Sequence, residues 1–357
     1  MEELEKLRAR INEIDKRILE LLNERAKIAL DIKKWKDSNA FPVFDPVRER
    51  EVLKRLISES EGPLTYEAIY EIFKSIISHI RNLEEEIKVG FLGPEGSFSH
   101  QATVKFFGEG AKFIPFSTVE DIFKALEEDA DDYGVVPIEN SLEGTVGSTM
   151  DLLAITTRKV VGEIYLSVRH SLLSDADSLD DIKKVYSHPQ ALAQCRRWLR
   201  QNLPNVEEIP TSSTSYAAML VKNNKDSAAI ASSFAGEIFG LKTLAESIQD
   251  SWNNKTRFLV LGKNIPRNSG KDKTSIIFSV KHQAGALYRA LRPLHDYGLN
   301  MTLIQSRPVP SKSFEYRFFV DFQGHIEDEK VKKSLEKIKE ECLDFKILGS
   351  YPEANDL

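Results

Sequence analysis

The stretch that organises the chain is Asp250-Ser-Trp-Asn-Asn-Lys-Thr-Arg-Phe-Leu-Val-Leu-Gly262. It begins as a polar loop, 251–255, and continues into a short apolar strand, 258–261. At the junction, Thr256 places a hydroxyl beside the fixed cation of Arg257, at the mouth of a strand. Open α/β sheets carry their chemistry at such strand ends, so the pattern predicts a site here. A plain polar turn before an edge strand is the competing interpretation.

The bulk properties of the chain indicate a globular protein with two or three domains. It has 357 residues, 41% of them hydrophobic, and a net charge of −6 with no basic block, which argues against nucleic-acid binding. The charged N-terminus is unlike a signal peptide, and we expect no contact with a membrane. Cys195 and Cys342 lack the spacing of a metal or disulfide framework. We therefore expect a cytoplasmic protein with no metal and no cofactor.

Residues 1–87 are predicted to form an all-α domain of three helices. Apolar residues recur every three or four positions along the first helix, at Leu4, Leu7, Ile11, Ile14, Ile18, Leu21, Ile28, Ile32 and Trp35. Arg25 interrupts this seam, which indicates either an anionic partner or a polar residue that sets the register of a coiled coil. Asp45-Pro46 predicts the start of the second helix, and Thr65 predicts that of the third.

The motifs LxxLRxxI at Leu4, LxxER at Leu21 and DPxRE at Asp45 together resemble the all-α chorismate mutases. In that family, arginines clamp the two carboxylates of chorismate while it rearranges to prephenate, without a nucleophile or a metal. The resemblance implies that Lys36 and Glu84 face the ether oxygen of the substrate. The residues it assigns to substrate binding are Arg8, Arg25 and Arg48 for the carboxylates, and Asp45 and Glu49 for the hydroxyl.

Helix geometry predicts that this site is shared between two chains. Arg25 and Lys36 are 11 residues apart, so they lie near one face and about 16 Å apart along the axis. Arg8 and Arg25 are 17 residues apart, or about 26 Å, which is too far for one ligand to touch both. If both arginines bind chorismate, one of them must come from a second copy, and we expect a homodimer or a higher homo-oligomer.

Residues 88–263 are predicted to form a two-lobed α/β domain, because strand and helix patterns alternate throughout. The motifs GPEGSFSHQA, PIENSxxG, SHPQALAQC, TSSTSYAA and NNKTRF resemble prephenate dehydratase, whose lobes are similar to those of periplasmic binding proteins. The resemblance implies that Thr256 is catalytic and that Arg257 binds a carboxylate of prephenate. The polar neighbours that it implies for Thr256 are Asn140, Ser187 and Gln194.

Residues 274–353 follow a linker and show a βαββαβ order, which predicts a ferredoxin-like domain. This part resembles the ACT regulatory domains, which bind amino acids between paired subunits. The resemblance assigns an L-phenylalanine site to Gly285, Ala286, Leu287, Gln305, Ser306, Arg307 and Pro308. Gln305 departs from the glutamate that is usual in the family, and this leaves the strength of inhibition open.

The combined expectation is a multidomain enzyme of phenylalanine biosynthesis. It would convert chorismate to prephenate and prephenate to phenylpyruvate, under feedback by phenylalanine. One alternative keeps the fold and takes arogenate as the substrate of the dehydratase. A second alternative is a non-enzymatic amino-acid sensor, which the seam cation Arg25 and the intact Thr256-Arg257-Phe258 disfavour.

Overall fold

The structure is a computed structural model that describes residues 1–39, 42–308 and 316–354. The chain divides into two compact units. A helical unit contains Met1–Ile87 together with Phe107–Lys112, and an α/β unit contains Lys88–Phe106 together with Phe113–Leu357. Residues 309–315 of the predicted regulatory domain lie outside the described residues. In the part of the chain that is described, no helix is long and apolar enough to cross a membrane.

The helical unit contains three helices, as predicted: α1 at Glu2–Ser38, α2 at Pro46–Glu59 and α3 at Tyr66–Glu84. The side chain of Asp45 accepts a hydrogen bond of 2.9 Å from the backbone N–H of Arg48, and Pro46 occupies the first turn of α2. The hydroxyl of Thr65 accepts one of 3.2 Å from the N–H of Ala68. Each cap satisfies a backbone donor that the helix leaves unpaired, so both sequence signals are confirmed.

Helix α1 is 37 residues long and has no buried residue. The nine apolar side chains of its seam keep 47–62% of their surface exposed: Leu4, Leu7, Ile11, Ile14, Ile18, Leu21, Ile28, Ile32 and Trp35. Soluble monomers rarely expose an apolar surface of this extent. The seam therefore marks α1 as a surface on which another chain could pack.

The segment Phe107–Lys112 packs as part of the helical unit. Phe107 is fully buried, and its ring centroid lies 5.0 Å from that of Phe44. Two glycines allow the close approach of this segment to α3. A Cβ atom added at Gly108 would lie 2.5 Å from the Cβ atom of Ser78, and one added at Gly110 would lie 2.2 Å from the Ser78 carbonyl oxygen. Larger residues would force the segment away from α3.

The α/β unit contains two sheets. Its strands are β1 Lys88–Leu92, β2 Lys112–Phe116, β3 Tyr133–Asn140, β4 Gly144–Thr145, β5 Lys159–Ser167, β6 Ser171–Ser174, β7 Lys184–Ser187, β8 Glu207–Pro210, β9 Ser227–Ala231, β10 Lys242–Ala245, β11 Lys255–Gly262, β12 Asp272–Ser279, β13 Met301–Pro308, β14 Tyr316–Gln323 and β15 Asp344–Pro352. Its helices are α4 Phe98–Phe107, α5 Val119–Glu127, α6 Gly147–Ile155, α7 Pro189–Gln194, α8 Arg196–Asn202, α9 Thr214–Val221, α10 Ser233–Phe239, α11 Ala286–Asp296 and α12 Glu329–Glu341, with a 3-10 turn at Leu179–Asp181.

The two sheets form the two predicted lobes. Strands β1 to β5 and β11 belong to the larger sheet, whereas β6 to β10 form the five-stranded sheet in the order β10-β6-β9-β7-β8. The chain therefore passes from the first lobe to the second after β5 and returns before β11. This double crossing places the stretch that begins at Asp250 on the connection between the lobes.

The C-terminal part of the α/β unit has the predicted ferredoxin-like fold. Its strands lie in the order β13-β14-β12-β15, with a buried core that α11 and α12 share with the sheet. This sheet continues into the first lobe, because β15 pairs with β5 at Gly349 and Val160. A Cβ atom added at Gly349 would lie 2.0 Å from the Val160 carbonyl oxygen, so the two backbones are in close contact there.

Strand β11 lies in the middle of the first lobe, between β3 and β5. Both pairings are antiparallel, and they place Thr256 opposite Asn140 on one side and Leu166 on the other. The apolar residues that follow in β11, Phe258 to Leu261, are buried in the lobe. The strand is thus fixed along its length by two ladders and by its core, and Thr256 lies near its first residue.

Candidate functional sites

Thr256 lies where β3 ends and β11 begins, at the edge of the first lobe. The side-chain amide of Asn140, the last residue of β3, donates a hydrogen bond of 2.8 Å to Oγ1 of Thr256. The orientation of this amide is fixed, because Oδ1 of Asn140 accepts bonds from the backbone N–H groups of Leu142 (2.9 Å) and Glu143 (3.2 Å). Since Oγ1 accepts from Asn140, the hydroxyl proton of Thr256 is left to donate elsewhere.

Further hydrogen bonds extend from this pair to the second lobe. Asn140 also donates to Oδ1 of Asn254 at 2.9 Å, and Asn254 donates to Oε1 of Gln194 at 3.4 Å. Nε2 of His170 lies 2.9 Å from the same oxygen. Because a carbonyl oxygen only accepts, this nitrogen carries the proton. We refer to Thr256, Asn140, Asn254, Gln194 and His170 as the Thr256 chain.

His170, at the far end of the Thr256 chain, is buried and neutral. Burial lowers its pKa, and the hydrogen bond to Gln194 opposes that shift. The ring of Phe98 packs edge-on at 5.7 Å between centroids. Nδ1 of His170 has no hydrogen-bond partner among the described residues. The ring therefore holds the oxygen of Gln194 in place without adding a charge.

Sequence reasoning missed two members of this chain. Asn254 lies two residues before Thr256, and in an extended segment such residues face the same side, so this signal was available. His170 follows β5 by three residues and belongs to none of the motifs quoted above. His170 directly precedes β6, and its contact with Gln194 in α7 depends on packing within the second lobe that the sequence pattern does not specify.

Two residues predicted for the dehydratase site lie elsewhere. The hydroxyl of Ser187 is fully buried and donates to the Ile230 carbonyl at 2.6 Å, so it connects strands within the second lobe. Arg257 is only 3% exposed, and it forms ion pairs with Glu163 at 2.8 Å and Asp321 at 2.6 Å. Successive strand residues face opposite sides, and this turns Arg257 away from Thr256. The prediction that Arg257 binds a substrate carboxylate is wrong for this reason.

In the helical unit, Arg25, Lys36 and Glu84 influence one another electrostatically. Burial lowers the pKa of Arg25, and the charges of Glu84 and Glu49 oppose this shift. Burial raises the pKa of Glu84, whereas the positive charges of Lys36, Arg25 and two other cations lower it. Oε2 of Glu84 is buried with no hydrogen-bond partner among the described residues. Lys36 donates to the Val43 carbonyl at 2.8 Å. The charges of Arg25 and Lys36 thus both act on Glu84.

Glu49 is held by two cations that the sequence analysis did not assign. Its Oε1 forms an ion pair with Arg81, and its Oε2 lies 3.7 Å from Nζ of Lys74. Lys74 and Arg81 are seven residues apart on α3, so they share one face. Arg81 is buried, donates to the Phe107 carbonyl and packs over the ring of Phe44 at 4.7 Å.

The remaining residues predicted for the helical unit are more exposed. Asp45 caps α2, and the side chain of Arg48 is mostly exposed at 3.6 Å from Glu51. Arg8 is exposed on α1, and the 17 residues to Arg25 correspond to about 26 Å. Within the helical unit of one chain, Arg8 is therefore not brought to Arg25.

The residues predicted to bind phenylalanine lie at one end of the ferredoxin-like sheet. Ser279 at the end of β12 pairs with Arg317, which in turn pairs with Arg307 near the end of β13. The register therefore places the end of β13, Gln305 to Pro308, at the same end of the sheet as the connection from β12 to Gly285, with β14 between the two strands. Gly285 has a positive φ of 75° and precedes the first residue of α11. Arg307 also donates to Asp151 in α6 at 2.8 Å.

Three models of known protein families match this chain, one after another along the sequence. Residues 7–85 match chorismate mutase type II, residues 89–266 match prephenate dehydratase, and residues 274–340 match the ACT domain. The bifunctional chorismate mutase/prephenate dehydratase of Aquifex aeolicus is 45% identical to this chain, over 99% of each sequence.

Two solved structures are similar to the C-terminal three quarters of the chain. The prephenate dehydratase of Arthrobacter aurescens in complex with L-Phe is 32% identical, with a TM-score of 0.69, and the match covers 75% of this chain and 90% of that one. The prephenate dehydratase of Staphylococcus aureus is 30% identical, with a TM-score of 0.66, and the match covers 74% of this chain and all of that one.

Proposed function

This chain belongs to the family of bifunctional chorismate mutase/prephenate dehydratases, and we propose that it catalyses both of the reactions that the family is named for. Chorismate is rearranged to prephenate by residues 1–87, and prephenate is converted to phenylpyruvate by residues 88–263. Residues 274–353 form the regulatory domain. The observation that carries the dehydratase assignment is the hydrogen bond from Asn140 to Thr256 at the meeting point of the two lobes.

The dehydratase needs a hydrogen-bond donor rather than a nucleophile. Prephenate loses CO2 and its ring hydroxyl as the ring becomes aromatic, so negative charge builds up on the departing oxygen. Thr256 donates a hydrogen bond to that oxygen and keeps its proton, and the bond that Oγ1 accepts from Asn140 polarises the hydroxyl and strengthens the donor. The Thr256 chain keeps the hydroxyl in this orientation. Arogenate is a less favoured substrate, since the relatives to which this chain is similar are named for prephenate.

Thr256→Ala should abolish phenylpyruvate formation and leave the mutase reaction intact. The change removes the donor, and the loss of one such donor lowers kcat by about 10² to 10³. Turnover is measured with chorismate and with prephenate as separate substrates. Thr256→Ser, which retains a hydroxyl, is the matched control and should keep part of the activity. Dehydratase turnover at the wild-type rate in Thr256→Ala would remove this residue from the mechanism.

The mutase reaction requires cations around the carboxylates and a donor at the ether oxygen. We assign the carboxylates to Arg8, Arg25 and Arg48, and the ether oxygen to Lys36 and Glu84. Burial raises the pKa of Glu84, and below that pKa its carboxyl can donate to the ether oxygen.

The substrate hydroxyl is assigned to Glu49, together with Asp45. Oε1 of Glu49 is occupied by Arg81, but Oε2 accepts no hydrogen bond from the described residues. Nζ of Lys74 lies 3.7 Å from Oε2, which is longer than a hydrogen bond, so Oε2 is the oxygen that we assign to accept from the substrate.

Mutase activity should fall as the pH rises through the raised pKa of Glu84. Above that pKa the carboxylate is ionised and can no longer donate to the ether oxygen. The side-chain amide of Glu84→Gln can donate at every pH, so this variant should not show the fall in mutase activity at high pH. Glu71→Gln, at an exposed position on the same helix, is the matched control. The measurement is kcat/KM for chorismate against pH, and an unchanged fall in Glu84→Gln would contradict the assignment.

The mutase site is completed in a homodimer or a higher homo-oligomer. The exposed seam of α1 supplies a surface about 55 Å long for a second copy. Pairing of two such helices would bring Arg8 of one copy to the Arg25 site of the other.

Subunit mixing tests this arrangement. Arg8→Ala and Arg25→Ala should each be almost inactive as mutases. After unfolding and refolding together, they should recover about a quarter of the wild-type rate, because half of the dimers are mixed and each of these has one intact site. A mixture that stays inactive, while sedimentation shows the mixed dimers, would exclude the shared site. A mixture of Arg8→Ala with Arg8→Lys is the control for nonspecific recovery.

L-Phenylalanine is the proposed effector of the regulatory domain. The Arthrobacter aurescens relative was solved in complex with L-Phe, and in this chain the end of β13 and the connection to Gly285 lie at the same end of the ferredoxin-like sheet. Prephenate and chorismate are the substrates, and we place the protein in the cytoplasm, where its two free cysteines remain reduced.

L-Phenylalanine at millimolar concentration should lower dehydratase turnover and raise the melting temperature. A ligand that binds only the folded state stabilises it by mass action. Gln305→Glu adds an anion for the ammonium group and should lower the phenylalanine concentration that gives half inhibition. D-Phenylalanine is the control ligand. If L-phenylalanine changes neither turnover nor melting temperature, the regulatory assignment fails.

A further inference from the structure

A cluster of buried charges lies where the first lobe meets the ferredoxin-like domain. Its members, the Arg257 cluster, are Arg257 in β11, Glu163 in β5, Lys273 in β12, Asp321 in β14 and Tyr351 in β15. None of the five is more than 7% exposed. Two cations face two anions, so the cluster carries no net charge. Strands from both domains contribute to it, and the first lobe contributes the residue that follows Thr256.

Arg257 occupies the centre of this cluster and uses all three guanidinium nitrogens. Nε and Nη2 contact Oε2 of Glu163 at 2.9 and 2.8 Å, and Nη1 contacts Oδ2 of Asp321 at 2.6 Å. Nη2 also donates to the hydroxyl of Tyr351 at 3.1 Å. A planar guanidinium held by three partners has little freedom to rotate or shift.

The partners of Arg257 are themselves held in place. Ser275 donates to Oδ1 of Asp321 at 2.5 Å, and its hydroxyl lies 2.7 Å from that of Tyr351. Lys273 contacts the second oxygen of Glu163 at 2.8 Å. The positions of β12, β14 and β15 therefore determine where the guanidinium can lie.

Stability alone is a poor explanation for the cluster. Removing four charges from water is costly, and apolar side chains of similar volume often stabilise a core at least as well. A buried ionic cluster does specify geometry, because its bonds tolerate only small displacements. Thr256 and Arg257 share a peptide bond, so an arginine fixed on one face of β11 limits the backbone that places the hydroxyl on the other face.

We propose that Arg257 is a positioning residue through which the ferredoxin-like domain sets the placement of the Thr256 hydroxyl. The inference rests on the proposed catalytic role of Thr256. Two of the three partners of Arg257, Asp321 and Tyr351, belong to the ferredoxin-like domain, so a displacement of that domain's strands reaches β11 through them. A conformational effect of phenylalanine on the dehydratase would use this path.

The test compares Arg257→Lys with Arg158→Lys in the full-length protein. Arg158 is also buried in the first lobe, where it pairs with Asp129 and the Leu126 carbonyl, outside the Thr256 chain. Arg257→Lys keeps the charge but loses the planar fork, and we expect kcat for prephenate to fall by about tenfold to a hundredfold with little change in KM. Arg158→Lys should leave kcat unchanged below its melting temperature.

Tyr351→Phe provides a milder variant that keeps the packing. It removes the hydroxyl that Arg257 and Ser275 contact. We expect it to retain most of the dehydratase kcat but to respond to L-phenylalanine less than the wild type does. Asp321→Asn should show both a lower kcat and a weaker response. If Arg257→Lys does not fold, Tyr351→Phe and Asp321→Asn test the positioning role of Arg257 in its place.

Several outcomes would overturn the proposal. One is a kcat within about twofold of the wild type in folded Arg257→Lys or, failing that variant, Asp321→Asn. Another is an equal loss in Arg158→Lys, which would indicate a general effect of replacing a buried arginine. A third is an undiminished phenylalanine response in both Tyr351→Phe and Asp321→Asn.

The experiments can reject the proposed function and this inference independently of each other. If Thr256→Ala retains dehydratase turnover, the catalytic assignment fails. If Thr256→Ala is inactive while folded Arg257→Lys has the wild-type kcat, only the positioning role of Arg257 fails. Mutase activity, measured in parallel, should remain unchanged in every variant of the Arg257 cluster.

Discussion

The alternation of side chains along β11 is the constraint on which the α/β unit depends. Thr256 and Arg257 are neighbours, and the pleat sends their side chains to opposite faces of the strand. One face meets Asn140 and the second lobe, and the other meets Glu163 and the ferredoxin-like domain. Because β3 and β5 pair with β11 on its two edges, neither side chain can exchange its surroundings without breaking two ladders. The strand thus connects the proposed catalytic residue with the ferredoxin-like domain.

Polar side chains in both units are arranged so that a donor or acceptor remains unused. The amide of Asn140 is fully engaged, which leaves the Thr256 proton free. In the helical unit, Oε2 of Glu84 is buried without a hydrogen bond from the described residues. An unsatisfied buried oxygen costs about 1–3 kcal/mol, which a substrate that supplies the missing donor or acceptor can recover. In the proposed mutase site, such an oxygen would lower the stability of the empty protein and favour the bound one.

Much of this arrangement could be predicted from the sequence, and the exceptions share a physical cause. Local signals were sufficient for the cap at Asp45, the three helices, the alternation of strands and helices, and the position of Thr256 at a strand end. The direction of the Arg257 side chain, away from Thr256, was also implied, because alternation forbids two neighbours from facing one cleft. Its partner Asp321 lies 64 residues further along the chain, and no local pattern pairs them. Arg81 is a similar case, since Glu49 and Phe107 are both distant in sequence.

The segment Phe107–Lys112 has a consequence for how the gene could be divided. The helical unit is not a continuous piece of the chain, since this segment completes it from beyond the first strand and helix of the α/β unit. A gene split after codon 87 would produce a helical protein in which Arg81 keeps its anion but loses the Phe107 carbonyl, and Phe44 loses its aromatic neighbour. Monofunctional descendants of such a chain would need a substitute for that turn, either a shorter side chain at position 81 or a new loop after α3.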